Sequence, residues 1–423
     1  MLNKLMHNSF IHITKRTDTP KWQAWLVRVG AVVGALIVSA IASSILKPGT
    51  FGAFIQNLFV GNFGTVTRFI KLLQNSAILL LIALALTPAF RMKFWNIGAE
   101  GQVLMGGLMS VVMIKYLGGK VDNSLLIILM LIMAIIGGAV WAVIPALFKA
   151  KWNTNETLFT LMMNYIATGL ISICIAVWVT SGSQVLGVLK FGRLPKIGGY
   201  NYILNVIIVA VITIVVSIYL KFSKHGYELS VVGESQNTAK YIGISVPKVI
   251  VRTMLLSGAL SGIAGWLLVA GTSYTISTDT AGGMGFTAIL VAWLGGLNPI
   301  AMVLTSLLVQ FFNIGAAYAG SSFGFGTAFP EIITGVFFFV VIASEFFVNY
   351  RVKLSPALAA KLKRKKDKDE CDNSSNKQND CTYAQCNPCD DKSNQQVEMN
   401  DVTDDNTANN DSVADNSEKE VND

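Results

Sequence analysis

Acidic residues are scarce through most of this sequence. Residues 1–366 hold nine carboxylates (Asp18, Glu100, Asp122, Glu156, Glu228, Glu234, Asp279, Glu331 and Glu345) against 29 lysines and arginines. The other 16 acids crowd into residues 367–423 beside four lysines, so the body carries +20 and the tail −12. No two body carboxylates are placed for acid/base work. Histidine is nearly absent: His7, His12 and His225 form no zinc-binding pair. The body has one cysteine, Cys174, in an apolar run where it packs as a small hydrophobe. No G-x-S-x-G occurs. The nearest approach to a nucleotide loop, Gly118-Gly119-Lys120, is followed by Val121 and lacks the upstream glycine. Together these deficits give little support to an enzyme, and no catalytic residue, metal site or cofactor is expected.

Apolar length is abundant instead. Of 423 residues 52% are hydrophobic and 14% charged, a balance foreign to soluble globular domains. The expected fold is an all-α polytopic membrane protein with about ten transmembrane or half-membrane helices. The segments fall at residues 29–46, 75–90, 98–116, 124–148, 157–180, 202–220, 249–271, 286–297, 300–318 and 329–350. The second is short and interrupted by Pro88. The eighth is too short to span, since a crossing needs about 20 residues, and it ends at Gly295-Gly296 with an Asn298-Pro299 cap. Gly30-x3-Gly34 would permit close helix contact, as would Gly258, Gly262 and Gly265. Residues 47–75 read as an outer segment with an interfacial helix.

Basic clusters follow segments two, four, six and ten, which places both termini on the cytoplasmic side. They also account for the basic body without nucleic-acid binding. The expected organisation is a basic N-terminus at 1–28 and a transmembrane domain at 29–350, with a polar interlude at 221–248. A cytoplasmic tail follows at 351–423, acidic and disordered from about residue 367 because it has too few aliphatic residues to offset its ordering entropy. Its C-x4-C-x2-C cluster (Cys381, Cys386, Cys389), with Cys371 upstream, has no apolar core to hold a metal. The start of the chain has no signal-peptide pattern.

Polar points recur inside this apolar frame: Asn96, Glu100, Gln102, Glu156, Asn164, Asn298, Gln310, Asn313 and Glu331. Trp95-Asn96-Ile97-Gly98-Ala99-Glu100-Gly101-Gln102 is the densest. If a helix begins at Asn96, Asn96 and Glu100 share a face. Glu100 then reads either as an intramembrane functional carboxylate or as a solvated turn residue. Asn164 and Gln310 read as interhelical hydrogen bonds, and Glu331 as a helix-start acid. The set suits a hydrophilic route for a neutral polar solute better than one for an ion. In the interlude Ser235 reads as an N-cap of a short helix over 236–242, with Ala239 and Ile242 on one face. Such a helix either docks a partner or merely connects two spans.

These stretches resemble a known family. Phe94–Gln102 closely resembles the F-N-I-G-A-E-G-Q signature of nucleoside-type ABC importer permeases, within the ribose- and branched-chain amino-acid-type group. Glu156-Thr157-Leu158 through Met162-Met163-Asn164-Tyr165-Ile166-Ala167 is similar to that family's E-x-x-x-T-x-M-x-N-Y-I-A segment. Gly233–Ile244 is similar to its G-x-N-P-x-A-A-x-Y-A-G-I loop, although Ser235-Gln236-Asn237-Thr238 stands where the family shows Asn-Pro. The runs Ser257–Gly265 and Gly285–Pro299 also match. The resemblance implies a plasma-membrane permease subunit without its own ATPase activity. Its partners would be a second related permease (or a second copy), ATP-binding cassette subunits and an extracytoplasmic solute-binding lipoprotein. It implies a pathway near Asn96, Glu100, Gln102, Glu156, Asn164, Tyr165 and Asn298. It also implies an ATPase-coupling helix around Gly233, Glu234, Asn237, Ala239, Tyr241 and Gly243. The solute would be a nucleoside or a simple sugar. An ion-driven transporter and a membrane scaffold acting through its acidic tail are the rival readings.

Overall fold

A computed structural model describes residues 11–15, 21–179, 186–200, 202–326 and 328–354. The acidic tail and its four cysteines lie outside the described residues. The helices, in chain order, are α1 (Lys21–Leu46), α2 (Phe51–Phe63), α3 (Val66–Arg91), α4 (Ala99–Leu117), α5 (Asn123–Trp152) and α6 (Glu156–Trp178). They continue with α7 (Ile203–Phe222), α8 (Lys224–Glu234), α9 (Gln236–Tyr241), α10 (Val246–Leu268), α11 (Met284–Leu294), α12 (Pro299–Phe323) and α13 (Ala328–Asn349). Two short strands, β1 (Ile11–Lys15) and β2 (Tyr350–Leu354), pair with each other.

All ten expected segments are helices. Seven are long and apolar enough to cross a membrane: Leu26–Leu46 in α1, then α3, α5, α6, α7, Val246–Ser273 and α12. Ala328–Ser344 and α11 are shorter apolar helices. The eleven residues of α11 fit the half-penetrating segment expected at 286–297.

The bundle is organised around α3. Leu72, Gln74 and every residue from Ser76 to Phe90 are buried, so this helix is apolar all round and enclosed by others. Pro88 does not interrupt it. The helix runs on to Arg91, because a proline in the last turn removes a single backbone bond and surrounding helices compensate.

Three helices pack more closely than side chains allow. A Cβ built on Gly265 of α10 would lie 2.1 Å from the Val103 carbonyl oxygen of α4, and one on Gly262 would lie 2.2 Å from the Ala134 oxygen of α5. Gly258, on the same stripe, would meet the Gly138 oxygen at 2.3 Å. Backbone-to-backbone contact of this kind replaces the hydrophobic effect as the cohesive force between helices in lipid.

One expectation is corrected. Gly30 and Gly34 meet nothing within 4 Å, so the glycine spacing on α1 serves no contact within the described chain. Helix α2 is a helix as expected within 47–75; it buries Phe54 and Leu58 on one face, where Gly315 of α12 presses on Leu58, and leaves Phe51, Phe59 and Phe63 exposed on the other.

A candidate permease hub and its fastened hairpin

After Arg91 the chain does not enter α4 directly. Lys93 adopts a left-handed conformation (φ 59°), and the segment up to Gly98 runs at the depth of Ser257, well inside α10. Backbone left bare at such depth must find partners within the protein. The Asn96 side chain supplies one and ties it to two other side chains. Its Oδ1 accepts from the Gly98 amide (3.0 Å) and from Gln102 Nε2 (3.3 Å), and its Nδ2 donates to Ser257 Oγ (3.2 Å). The helix begins at Ala99, so Asn96 closes an Asx turn before it and does not share a helical face with Glu100.

Helix α6 clamps the same break from another side. Thr160 Oγ1 accepts from the Ile97 amide (3.2 Å). One turn on, Asn164 donates to the Ile97 carbonyl (3.0 Å) and accepts from the Gly101 amide (2.9 Å). Gly101 has no space for a side chain, with Asn164 Oδ1 2.9 Å from where its Cβ would stand.

Glu100 reaches across to α11. Its Oε1 accepts from the Gly283 amide (2.8 Å) and its Oε2 from the Gly285 amide (2.6 Å). These belong to the opening of α11, whose first N–H groups have no intrahelical acceptor. Glu100 also sits in the first turn of α4, so one carboxylate lies at the positive ends of two helices. Both oxygens are occupied by N–H donors, which makes Glu100 a rivet between α4 and α11.

The remaining expected pathway residues lie elsewhere. Glu156 opens α6 and pairs with Lys149 (2.8 Å). Asn298 caps α12, its Oδ1 accepting from Ile300 N, and is exposed. Tyr165, next to Asn164, points to the opposite face and is 68% exposed. Glu331 is exposed in the first turn of α13. Residues outside the expected pathway set join the hub: Ser257, Thr160 and the amides of Gly283 and Gly285. Buried Gln102 Oε1 and Trp141 Nε1 find no hydrogen-bond partner among the described residues.

The residues of the polar interlude form a hairpin of α8 and α9 against the end of the bundle. Gly233 lies flat on α3: a Cβ there would be 2.1 Å from the Arg91 carbonyl oxygen. Arg91 itself donates to the carbonyls of Leu220 (3.4 Å) and Leu297 (3.2 Å), joining the ends of α7 and α11. The chain breaks at Ser235, whose Oγ caps α9 by accepting from Thr238 N (3.2 Å). Ala239 is buried, whereas Glu234, Asn237 and Tyr241 are exposed, Tyr241 by 91%. Ile242 does not share the Ala239 face. The helix stops at Tyr241, the chain turns through Gly243 (φ 82°), and Ile242 is left 56% exposed.

His225 fastens the hairpin from within. It is fully buried, its Nδ1 2.8 Å from the Tyr219 hydroxyl and its Nε2 3.2 Å from Thr253 Oγ1. Thr253 spends its own proton on the Val249 carbonyl (2.6 Å), so Nε2–H donates to Thr253 and Nδ1 accepts from Tyr219. This arrangement suits the neutral ring. Burial, aided by the charge of Arg252, pushes its pKa below the ordinary 6.5, against weaker opposing effects of Glu228 and the Val249 carbonyl. A lowered folded pKa means that the unfolded chain binds the proton more readily. The stabilisation is therefore complete above the ordinary histidine value and falls away as pH drops through 6.5 towards the folded value. Thermal unfolding of the purified chain is expected to lose stability across that window. The His225→Gln variant is expected to show lower stability at neutral pH and a flatter acid slope; an unchanged slope would contradict the assignment.

Among the described residues no cluster of three or more His, Cys, Asp or Glu could hold a metal. A bundle with helices broken at depth and polar groups gathered around the break is the architecture of a membrane transport component, and this is a multi-pass protein of the cell membrane. Residues 68–343 match the family described as the branched-chain amino acid transport system permease component, and the chain belongs to that family. It is 30% identical to the guanosine ABC transporter permease protein NupP of Bacillus subtilis, over 80% of this chain and 94% of that one. It is 28% identical to the glucose ABC transporter permease protein TsgB13 of Haloferax volcanii, over 82% and 95%. Identity to the nucleoside ABC transporter permease protein NupB of Lactococcus lactis is 26%, over 74% and 88%.

Proposed function

We propose that this chain is the permease subunit of an ATP-driven importer that carries a neutral polar solute of the nucleoside class into the cell. The α8–α9 hairpin is the observation that carries this reading. It is fastened to the bundle by Gly233 on Arg91 and by His225 on Tyr219 and Thr253, while Tyr241 and Ile242 face outward. A lever bound firmly on one face and open on the other suits a groove in an ATP-binding subunit. ATP hydrolysis belongs to that partner, since the sequence has no phosphate-binding loop. A second related permease, or a second copy, and an extracytoplasmic solute-binding lipoprotein complete the assembly. Both termini, with the basic stretch 1–28 and the tail 351–423, belong to the cytoplasmic side.

Movement of the hairpin has a physical route to the hub. Thr253 and Ser257 are one turn apart on α10; the first holds His225 and the second holds Asn96. Displacing the hairpin therefore loads the helix that the break of Asn96, Glu100, Gln102 and Asn164 rests on, a rigid-element switch. We place this break beside the solute route.

Nucleosides are favoured because two of the three relatives above are named for guanosine or nucleosides, whereas glucose is named for the third. Competition against labelled guanosine uptake by the assembled transporter separates these solutes. Unlabelled nucleosides are expected to compete and glucose to leave uptake unchanged; the reverse order would overturn the solute assignment. The Ala239→Glu variant, which forces a charge beneath α9, is expected to keep the assembly's ATP hydrolysis while lowering uptake at least about tenfold. Undiminished uptake would refute the lever.

A further inference from the structure

Beside the hairpin, α5 and α10 leave a groove of about 880 Å³ at the same end of the bundle. Its walls are apolar, built from Leu147 and Phe148 of α5 and Val251 and Leu255 of α10. Its mouth is not. Lys151, Lys248 and Arg252 stand there, all exposed, and no carboxylate lines the groove. Glu156, close by in sequence, is already paired with Lys149. On the far side of Lys248 and Arg252 an adjoining hollow contains Lys224 and one acid, Glu228, so the cations stay in excess. Lys151 also lies 4.7 Å over the ring of Trp152, an aromatic of the kind that sits at headgroup level.

We propose that this groove binds one anionic phospholipid, its phosphate held by Lys151, Lys248 and Arg252 and an acyl chain laid along Val251, Leu255, Phe148 and Leu147. The dimensions agree. From Lys248 to Leu255 the helix descends about 10 Å, which takes a chain from the headgroup level into the hydrocarbon. The charge pattern selects the headgroup: a zwitterionic lipid would bring a fourth cation to a mouth that already has three. The site lies next to Pro247 and Lys248 at the start of α10, the helix that carries Thr253 and Ser257, so its occupancy bears on the element linking hairpin and hub. The proposal does not depend on the identity of the solute.

Native mass spectrometry of the detergent-purified full chain, titrated with phosphatidylglycerol or phosphatidylethanolamine of identical acyl chains, tests it. Basic residues near a lipid surface contribute about fivefold each, so a preference on the order of a hundredfold for phosphatidylglycerol is expected. The combined Lys151→Gln, Lys248→Gln, Arg252→Gln variant is expected to lose that preference, with its melting temperature in detergent reporting that it folds. The Lys93→Gln, Lys221→Gln variant, altered outside the groove, is expected to keep it. Equal retention of the two lipids would overturn the proposal, as would persistence of the preference in the triple variant. Competition by soluble glycerol phosphate as effective as that of the lipid would show a free-anion site and also overturn it. So would loss of the bound lipid when the second permease is added, which would mark the groove as a protein interface.

Discussion

Replacing Glu100 by glutamine is expected to destabilise the chain by about 2–3 kcal/mol, because it leaves one buried amide without an acceptor. The carboxylate accepts from Gly283 N at 2.8 Å and from Gly285 N at 2.6 Å. An amide side chain has a single oxygen, so its NH2 group would confront whichever backbone N–H the oxygen does not serve. Rotation cannot relieve this, since Gly285 is so close that a Cβ on it would lie 2.4 Å from the Glu100 nitrogen. Glu100→Asp, one methylene shorter, is expected to reach at most one of the two donors. Glu100→Ala is expected to do worst of the three, freeing both amides. Thermal unfolding of the purified variants in detergent gives the order. A Glu100→Gln variant as stable as the parent would show that the rivet contributes nothing.

Gly265→Val is expected to have the largest effect of all, with no folded protein recovered from membranes. The first added carbon would lie 2.1 Å from the Val103 oxygen and 2.6 Å from the Gly107 nitrogen, both backbone atoms on α4. Neither has a rotamer with which to yield, so α4 and α10 must separate. That would dismantle the contact on which Asn96, Gln102 and Ser257 depend, a loss above about 4 kcal/mol by analogy with the most disruptive core substitutions. Gly169→Ala is the matched control. It lies on the exposed side of α6 with nothing within 4 Å, and it is expected to be neutral or mildly stabilising because alanine restricts the unfolded chain. Comparing the monodisperse fraction of each variant in detergent checks both outcomes.

Much of this was legible in the sequence for identifiable reasons. A run such as Ser76–Phe90, with no polar side chain beyond Ser76 and Thr87, has few alternatives to a buried helix. The stripe of Gly258, Gly262 and Gly265 on a helical period announces a close crossing, although not its partners. Asn96, Gln102 and Asn164 stood out because polar side chains inside apolar runs need one another. Other features left no trace. The partners of Glu100 are backbone amides 183 and 185 residues away, and an amide has no side-chain signature. Gly30-x3-Gly34 carries the same spacing as the α10 stripe yet meets nothing. The pattern permits an approach, and only the packing of the other helices decides whether one occurs. Pro88 misled because the rule against helical proline weakens in the last turn of an enclosed helix. Ile242 misled because the positive φ of Gly243 ends α9 one residue early and turns the side chain outward.

His225 illustrates the same limit. Its sequence neighbours, Lys224 and Gly226, suggest an exposed loop. The ring is nevertheless buried between α7 and α10, because Ser223 caps α8 through the Gly226 amide and points His225 inward. The groove cations Lys248 and Arg252 gave only a helical spacing of four; Lys151 joins them from another helix.

The measurement that bears most directly on the whole account is uptake of labelled guanosine into proteoliposomes containing this chain, its partner permease, the ATP-binding subunits and the solute-binding protein. With ATP on the side of the α8–α9 hairpin, accumulation is expected and is expected to survive an uncoupler that dissipates ion gradients. Without ATP accumulation is expected to vanish, and with Ala239→Glu in place of the parent chain it is expected to fall at least about tenfold. Uptake that continues without ATP and collapses with the uncoupler would contradict the account and make the chain an ion-driven carrier.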